Sequence, residues 1–172
     1  MASLIEELMT TLENEITEYG KLLKLTQKKT PIIVKGDIEQ LRIVTDEEQS
    51  VADAIAALDV KRASVTKDIA EVLNKDVESL KLSLLIDLLA KQPEEQKRLA
   101  DITDRLKTVV NSVKMVNDQN AELIKHSLEM VEFDLNLIKS MRQAPETNNY
   151  GRHAINDGSM LGGSVGGFDA KQ

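Results

Sequence analysis

Residues 93–142 run PEEQKRLADITDRLKTVVNSVKMVNDQNAELIKHSLEMVEFDLNLIKSMR, and the way this stretch divides into faces decides the fold. Pro93 followed by Glu94 and Glu95 is a strong helix start, because proline tolerates the first helical position and acids complement the helix dipole. No proline or glycine interrupts the next 49 residues. The spacing predicts one helix from Glu94 to about Arg142, roughly 70 Å long at 1.5 Å per residue. Its first half carries a narrow apolar seam of Leu99, Ile102, Leu106, Val109, Val113 and Val116. Past Asn120 the pattern widens. At about 100° per residue, Ile124, Leu128, Val131, Leu135 and Ile138 share one face. Leu123, Met130, Phe133, Leu137 and Met141 fall beside or opposite it, leaving a polar stripe that contains Lys125, Glu129, Glu132, Asn136 and Lys139. A helix apolar around more than half its circumference has two faces to bury. One can meet the rest of the chain; the other calls for a further helix, a second copy or a partner.

The preceding segments supply the rest of a bundle. Ser3 and Glu6 form a capping-box pattern, followed by Ile5, Leu8, Leu12, Ile16, Tyr19, Leu23 and Thr26 at steps of three and four. This predicts a first helix of about seven turns that Pro31 closes. After the break PIIVKG, Asp37 and Gln40 repeat the capping pattern. A second helix then carries a heptad seam of Val44, Val51, Leu58, Val65 and Val72 with Leu41, Ile55 and Ile69. Glu48 and Arg62 interrupt that seam. They either fix register at the bundle edge or form a functional ion pair. The periodicity fades at Asn74–Asp76, and 83–90 is a short helix within a connection. The fold class expected is all-α: an elongated antiparallel bundle or coiled coil of three long helices and one short connecting helix.

Composition agrees. The chain has 172 residues, 41% hydrophobic and 30% charged, with four aromatic residues, no Trp and no Cys. That length suits one domain burying about 70% of its unfolded surface, here around aliphatic side chains. Without cysteine there are no disulfides or thiolate metal ligands, and a reducing compartment fits. No apolar run reaches the roughly 18 residues a membrane span needs. The acidic start MASLIEELMT lacks the basic region of a signal peptide. A cytoplasmic protein without membrane insertion is expected. The net charge of −7, spread over interspersed charges, argues against nucleic acid.

Six of the eight glycines follow Pro145. The sequence therefore divides into a helical domain, 1–144, and a flexible Gly-rich tail, 145–172, too polar to offset its chain entropy. Catalytic patterns are missing. His126 and His153 are the only histidines, and Leu123 stands where a Glu-x-x-His metal motif would need its acid. The Gly162-Gly163 and Gly166-Gly167 pairs lack the strand and helix that frame a phosphate loop. No cofactor, metal or catalytic residue is expected. The pattern is that of a protein working through a surface.

The run Asn117–Ile124, continuing through Lys125–Val131 and leading to Asn149-Tyr150-Gly151, resembles the FlgN family of flagellar export chaperones. So does the wider plan: a break containing Gly36-Asp37, a long helix with Glu48 and Arg62, a long last helix and a tail with Tyr-Gly. The resemblance covers about 1–158. It departs in the tail, where the next glycine after Gly151 is Gly158. The resemblance implies a bacterial chaperone that binds hook-associated (hook–filament junction) proteins, prevents their premature assembly or degradation, and delivers them to the flagellar type III export gate. It further implies substrate binding by the C-terminal helix, at Asn120, Ile124, Leu128, Val131, Leu135 and Ile138, and export-gate docking by Tyr150. Bland readings stand beside these: the stripe as ordinary core, Asn120 as a register-setting seam residue, Tyr150 as a local anchor. The alternative function is a structural or adaptor coiled coil that homodimerises through the second apolar face.

Overall fold

The structure is a computed structural model that describes residues 2–77 and 80–142. Among them are four helices and no strand: α1 (Ala2–Lys35), α2 (Ile38–Leu73), α3 (Leu82–Leu88) and α4 (Pro93–Arg142). The chain separates into two compact units, Met1–Phe133 and Asp134–Gln172. The second is described here only through the last turns of α4. The tail expected at 145–172 lies outside the described residues.

Helix α1 departs from the expected boundaries at both ends. It starts at Ala2, which places Ser3 inside the helix and not at its cap. It also runs through Pro31 to Lys35. Proline there cannot donate to the carbonyl of Gln27, a loss that ordinarily ends a helix. The helix persists because Ile33, beyond the proline, is buried in the bundle. It closes instead at Gly36, whose φ of +69° is open to glycine without strain. The N–H of Gly36 donates to the carbonyl of Ile33 and that of Asp37 to Ile32, at 3.0 and 3.2 Å. This is the Schellman closure. Asp37 then caps α2, its Oδ1 accepting from the backbone N–H of Gln40 at 3.0 Å. Two helices thus meet across a two-residue turn.

Helix α2 ends by the same device. Asn74 adopts φ +51°, and the N–H groups of Asn74 and Lys75 return to the carbonyls of Glu71 and Ala70. The expected heptad seam is buried at Val44, Val65 and Ile69 and half-buried at Val51, Ile55 and Leu58. Val72 is the exception, exposed at the last turn. A straight α-helix drifts about 20° per heptad against a strict seven-residue repeat, so the fifth position rotates out of the seam.

Ion pairs and hydrogen bonds fix the arrangement of the helices. Lys29 meets Glu48 and Glu15 meets Arg62, so α1 and α2 are antiparallel. Glu6 meets Arg98 and Thr26 meets Asn120, so α4 runs parallel to α1. The main core gathers Ile5, Leu8 and Leu12 of α1, Val65 and Ile69 of α2, Leu85 of α3, and Leu99, Ile102 and Leu106 of α4. Away from this cluster, towards the Gly36 turn, the buried apolar residues are Ile33, Val44 and Val113. There polar side chains share the interior.

Candidate protein-binding groove

The polar layer comes first along α4. Asn120 is buried, its Nδ2 donating to the carbonyl of Thr26 at 2.9 Å. Its Oδ1 accepts from the Thr30 hydroxyl at 2.7 Å. Both halves of the amide are therefore spent on α1, as a register-setting residue would have them. Beside it, Lys29 Nζ lies 2.7 Å from Glu48 Oε2, both side chains largely covered. The two breaks in the α2 seam are thus both engaged with α1. Arg62 Nε sits 3.1 Å from Glu15 Oε1, and Arg62 also pairs with Asp59. Glu15 Oε1 is buried and accepts no hydrogen bond of good geometry. Burial pushes the Glu15 carboxyl above the ordinary carboxylate range, with Arg62 opposing and Asp59 adding to the rise.

One turn beyond Asn120 the character changes. Ile124, Leu128 and Val131 of α4, with Ser127, form one wall of a groove of about 340 Å³. Ile32 and Ile33 of α1, the Gly36 turn, and Ile38 and Leu41 of α2 form the rest. No ionisable side chain lines it, so its chemistry is apolar burial and not proton or group transfer. Leu128 is 64% exposed and Val131 56%, values no core position approaches. The same helix face buries Leu99, Ile102, Leu106 and Val113 lower down. The groove therefore continues the core seam past the point where the α1–α2 hairpin covers it.

Three of the six residues expected to bind substrate are brought together here. Asn120 lies apart in the polar layer. Leu135 and Ile138 belong to the second unit, where both are exposed, as are Leu137 and Met141. On the first unit, Met130 and Phe133 are exposed too. Tyr150 lies outside the described residues. The hairpin side of the groove was not anticipated, although the break PIIVKGDIEQL holds five aliphatic residues around one glycine, more than a solvated connection needs. Among the described residues, no group of three His, Asp or Glu is placed to hold a metal, and no helix is long and apolar enough to cross a membrane.

A family model described as FlgN protein matches residues 1–157. The chain belongs to the FlgN family. Neither a curated protein nor a solved structure is matched by it. FlgN is a family of flagellar export chaperones and not of enzymes, and this is the general role of the chain, with flagellar proteins as its partners. An exposed apolar groove on a helical bundle suits such a role, since a chaperone acts by covering surface on another protein.

Proposed function

We propose that this FlgN-family chain binds hook-associated proteins in the cytoplasm, shields them from premature assembly and degradation, and delivers them to the flagellar export gate. A terminal segment of the substrate folds as an amphipathic helix against Ile124, Leu128 and Val131, with Ile32, Ile38 and Leu41 completing its bed. Leu135 and Ile138 offer further apolar contacts along the described end of α4, and Asn120 sets the register of the helix that carries them. Tyr150 docks at the gate, a role resting on the family resemblance. The observation carrying the reading is that the α4 face which is core below Asn120 is exposed from Leu128 onwards.

The magnitudes suit a chaperone that must release. Burying the exposed aliphatic side chains supplies about 1.5–3 kcal/mol each. Association and ordering cost about 4–15 kcal/mol. The balance falls at about micromolar to nanomolar affinity once additional substrate surface contributes. The test is co-elution of the full chain with a hook-associated protein in size-exclusion chromatography, repeated with Leu128→Glu. Leu128 has no role in the buried core, so that variant should fold normally by circular dichroism while binding at least about tenfold more weakly. Absence of a complex with the unsubstituted chain would overturn the reading. A dimer of the free chain that Leu128→Glu dissociates would support the homodimer instead.

A further inference from the structure

Just inside the groove, the α1–α2 hairpin carries a charge pair where the seam of α2 is otherwise apolar. Glu48 stands between Val44 and Val51 in that seam, and its Oε2 meets Lys29 Nζ of α1 at 2.7 Å. The two side chains are only 13% and 16% exposed. Glu48 Oε1 is buried and accepts no hydrogen bond among the described residues. A covered ion pair with one unanswered carboxylate oxygen is no more stable than two packed aliphatic side chains in its place. Lengthwise register does not require the pair either. The two-residue turn at Gly36 and Asp37 already decides which residues of α1 and α2 lie opposite one another.

What the pair does fix is rotation. Lys29 precedes Ile32 and Ile33 by about one turn of α1, and Glu48 follows Leu41 by one heptad of α2. Ile32, Ile33, Ile38 and Leu41 are the hairpin's share of the groove, and neither Lys29 nor Glu48 lines it. Helices free to rotate would bring these aliphatic side chains onto one another and close the groove, because burial of apolar area is favourable. That rotation has to drive Lys29 and Glu48 deeper or pull them apart. Either way a charge loses its partner or its remaining water. Resting on the reading above, we propose that Lys29 and Glu48 are positioning residues for the groove. Their ion pair sets the rotation of α1 against α2 and keeps Ile32, Ile38 and Leu41 facing α4 instead of packed on each other. Helix α4 is held separately, by Asn120 on Thr26 and Thr30.

The test compares two double variants of the full chain with the unsubstituted protein, by urea unfolding and by calorimetric titration with a hook-associated protein. Lys29→Leu/Glu48→Leu replaces the pair by aliphatic side chains. It should unfold at an equal or higher urea concentration and yet bind roughly tenfold more weakly, the loss of about one buried aliphatic contact. Lys29→Glu/Glu48→Lys exchanges the charges and should recover most of that affinity, since the pair and not either charge alone sets the rotation. A purely structural pair gives no such split between stability and binding. The proposal is overturned if the aliphatic variant binds as tightly as the unsubstituted chain, if its binding falls only in step with its stability, or if the exchanged variant binds no better than the aliphatic one. Leu128→Glu separates this from the groove reading. Binding that survives Leu128→Glu overturns the groove itself, whereas binding that Leu128→Glu weakens and the aliphatic variant does not overturns the positioning role alone.

Discussion

Single residues carry two distinct kinds of constraint in this bundle. Asn120 was legible in the sequence as a polar residue within an apolar seam, but its partners were not, because hydrogen bonding to Thr26 and Thr30 depends on α1 and α4 being parallel and in register. Replacing it with Ala removes both of these buried hydrogen bonds, the one to the Thr26 carbonyl and the one from the Thr30 hydroxyl. Asn120→Ala should therefore destabilise the fold by about 1–3 kcal/mol in urea unfolding. Glu15 is the electrostatic counterpart. Its carboxyl titrates above its ordinary value because burial disfavours the charged form. The folded state thus holds this proton more firmly than the unfolded state does. Below the ordinary carboxylate pKa both states are protonated and nothing is lost. As pH rises through the window between the unfolded and folded values, ionisation subtracts stability. Melting temperatures of Glu15→Gln should show a flatter pH dependence across that window than the unsubstituted chain. An unchanged profile would assign the effect to other groups.

At the scale of elements, helix type and order were legible because apolar spacing of three and four persists over many turns, and no tertiary contact is needed to see it. Boundaries were less so. Pro31 has a strong local effect, yet α1 continues past it, since a buried Ile33 and the Gly36 closure outweigh one missing hydrogen bond. Removing that cost makes Pro31→Ala a stabilising substitution, by about 1–3 kcal/mol in chemical denaturation. Gly36→Ala should do the reverse, by about 1 kcal/mol. Nothing lies within 4 Å of the added Cβ, so the loss comes from the positive φ alone. The apolar face of α4 was legible from periodicity, whereas the groove was not. Its second wall is built from Ile32, Ile38 and Leu41, which periodicity along α4 cannot reach.

For the whole molecule, the decisive feature is an uneven interior. The large aliphatic core lies around Leu8, Ile69, Leu85 and Leu99. Towards the Gly36 turn, polar Thr26 and Asn120 replace part of it, and the groove opens beyond them. The proposed function places binding on a different stretch of the same helices from the one that carries the main core. Deleting residues 145–172 should leave the melting temperature nearly unchanged and hook-associated-protein binding largely intact but impair secretion, with Tyr150→Ala reproducing part of that defect in a motility assay. The central claim is that flagellar substrate is held in the groove at the hairpin end. Hydrogen-exchange mass spectrometry of the full chain, with and without a bound hook-associated protein, tests it most directly. Protection should appear in 124–131 and 32–41 together, with the amides of 62–73 unchanged. Protection confined to other surfaces, leaving both groove walls exchanging at their free rates, would contradict it.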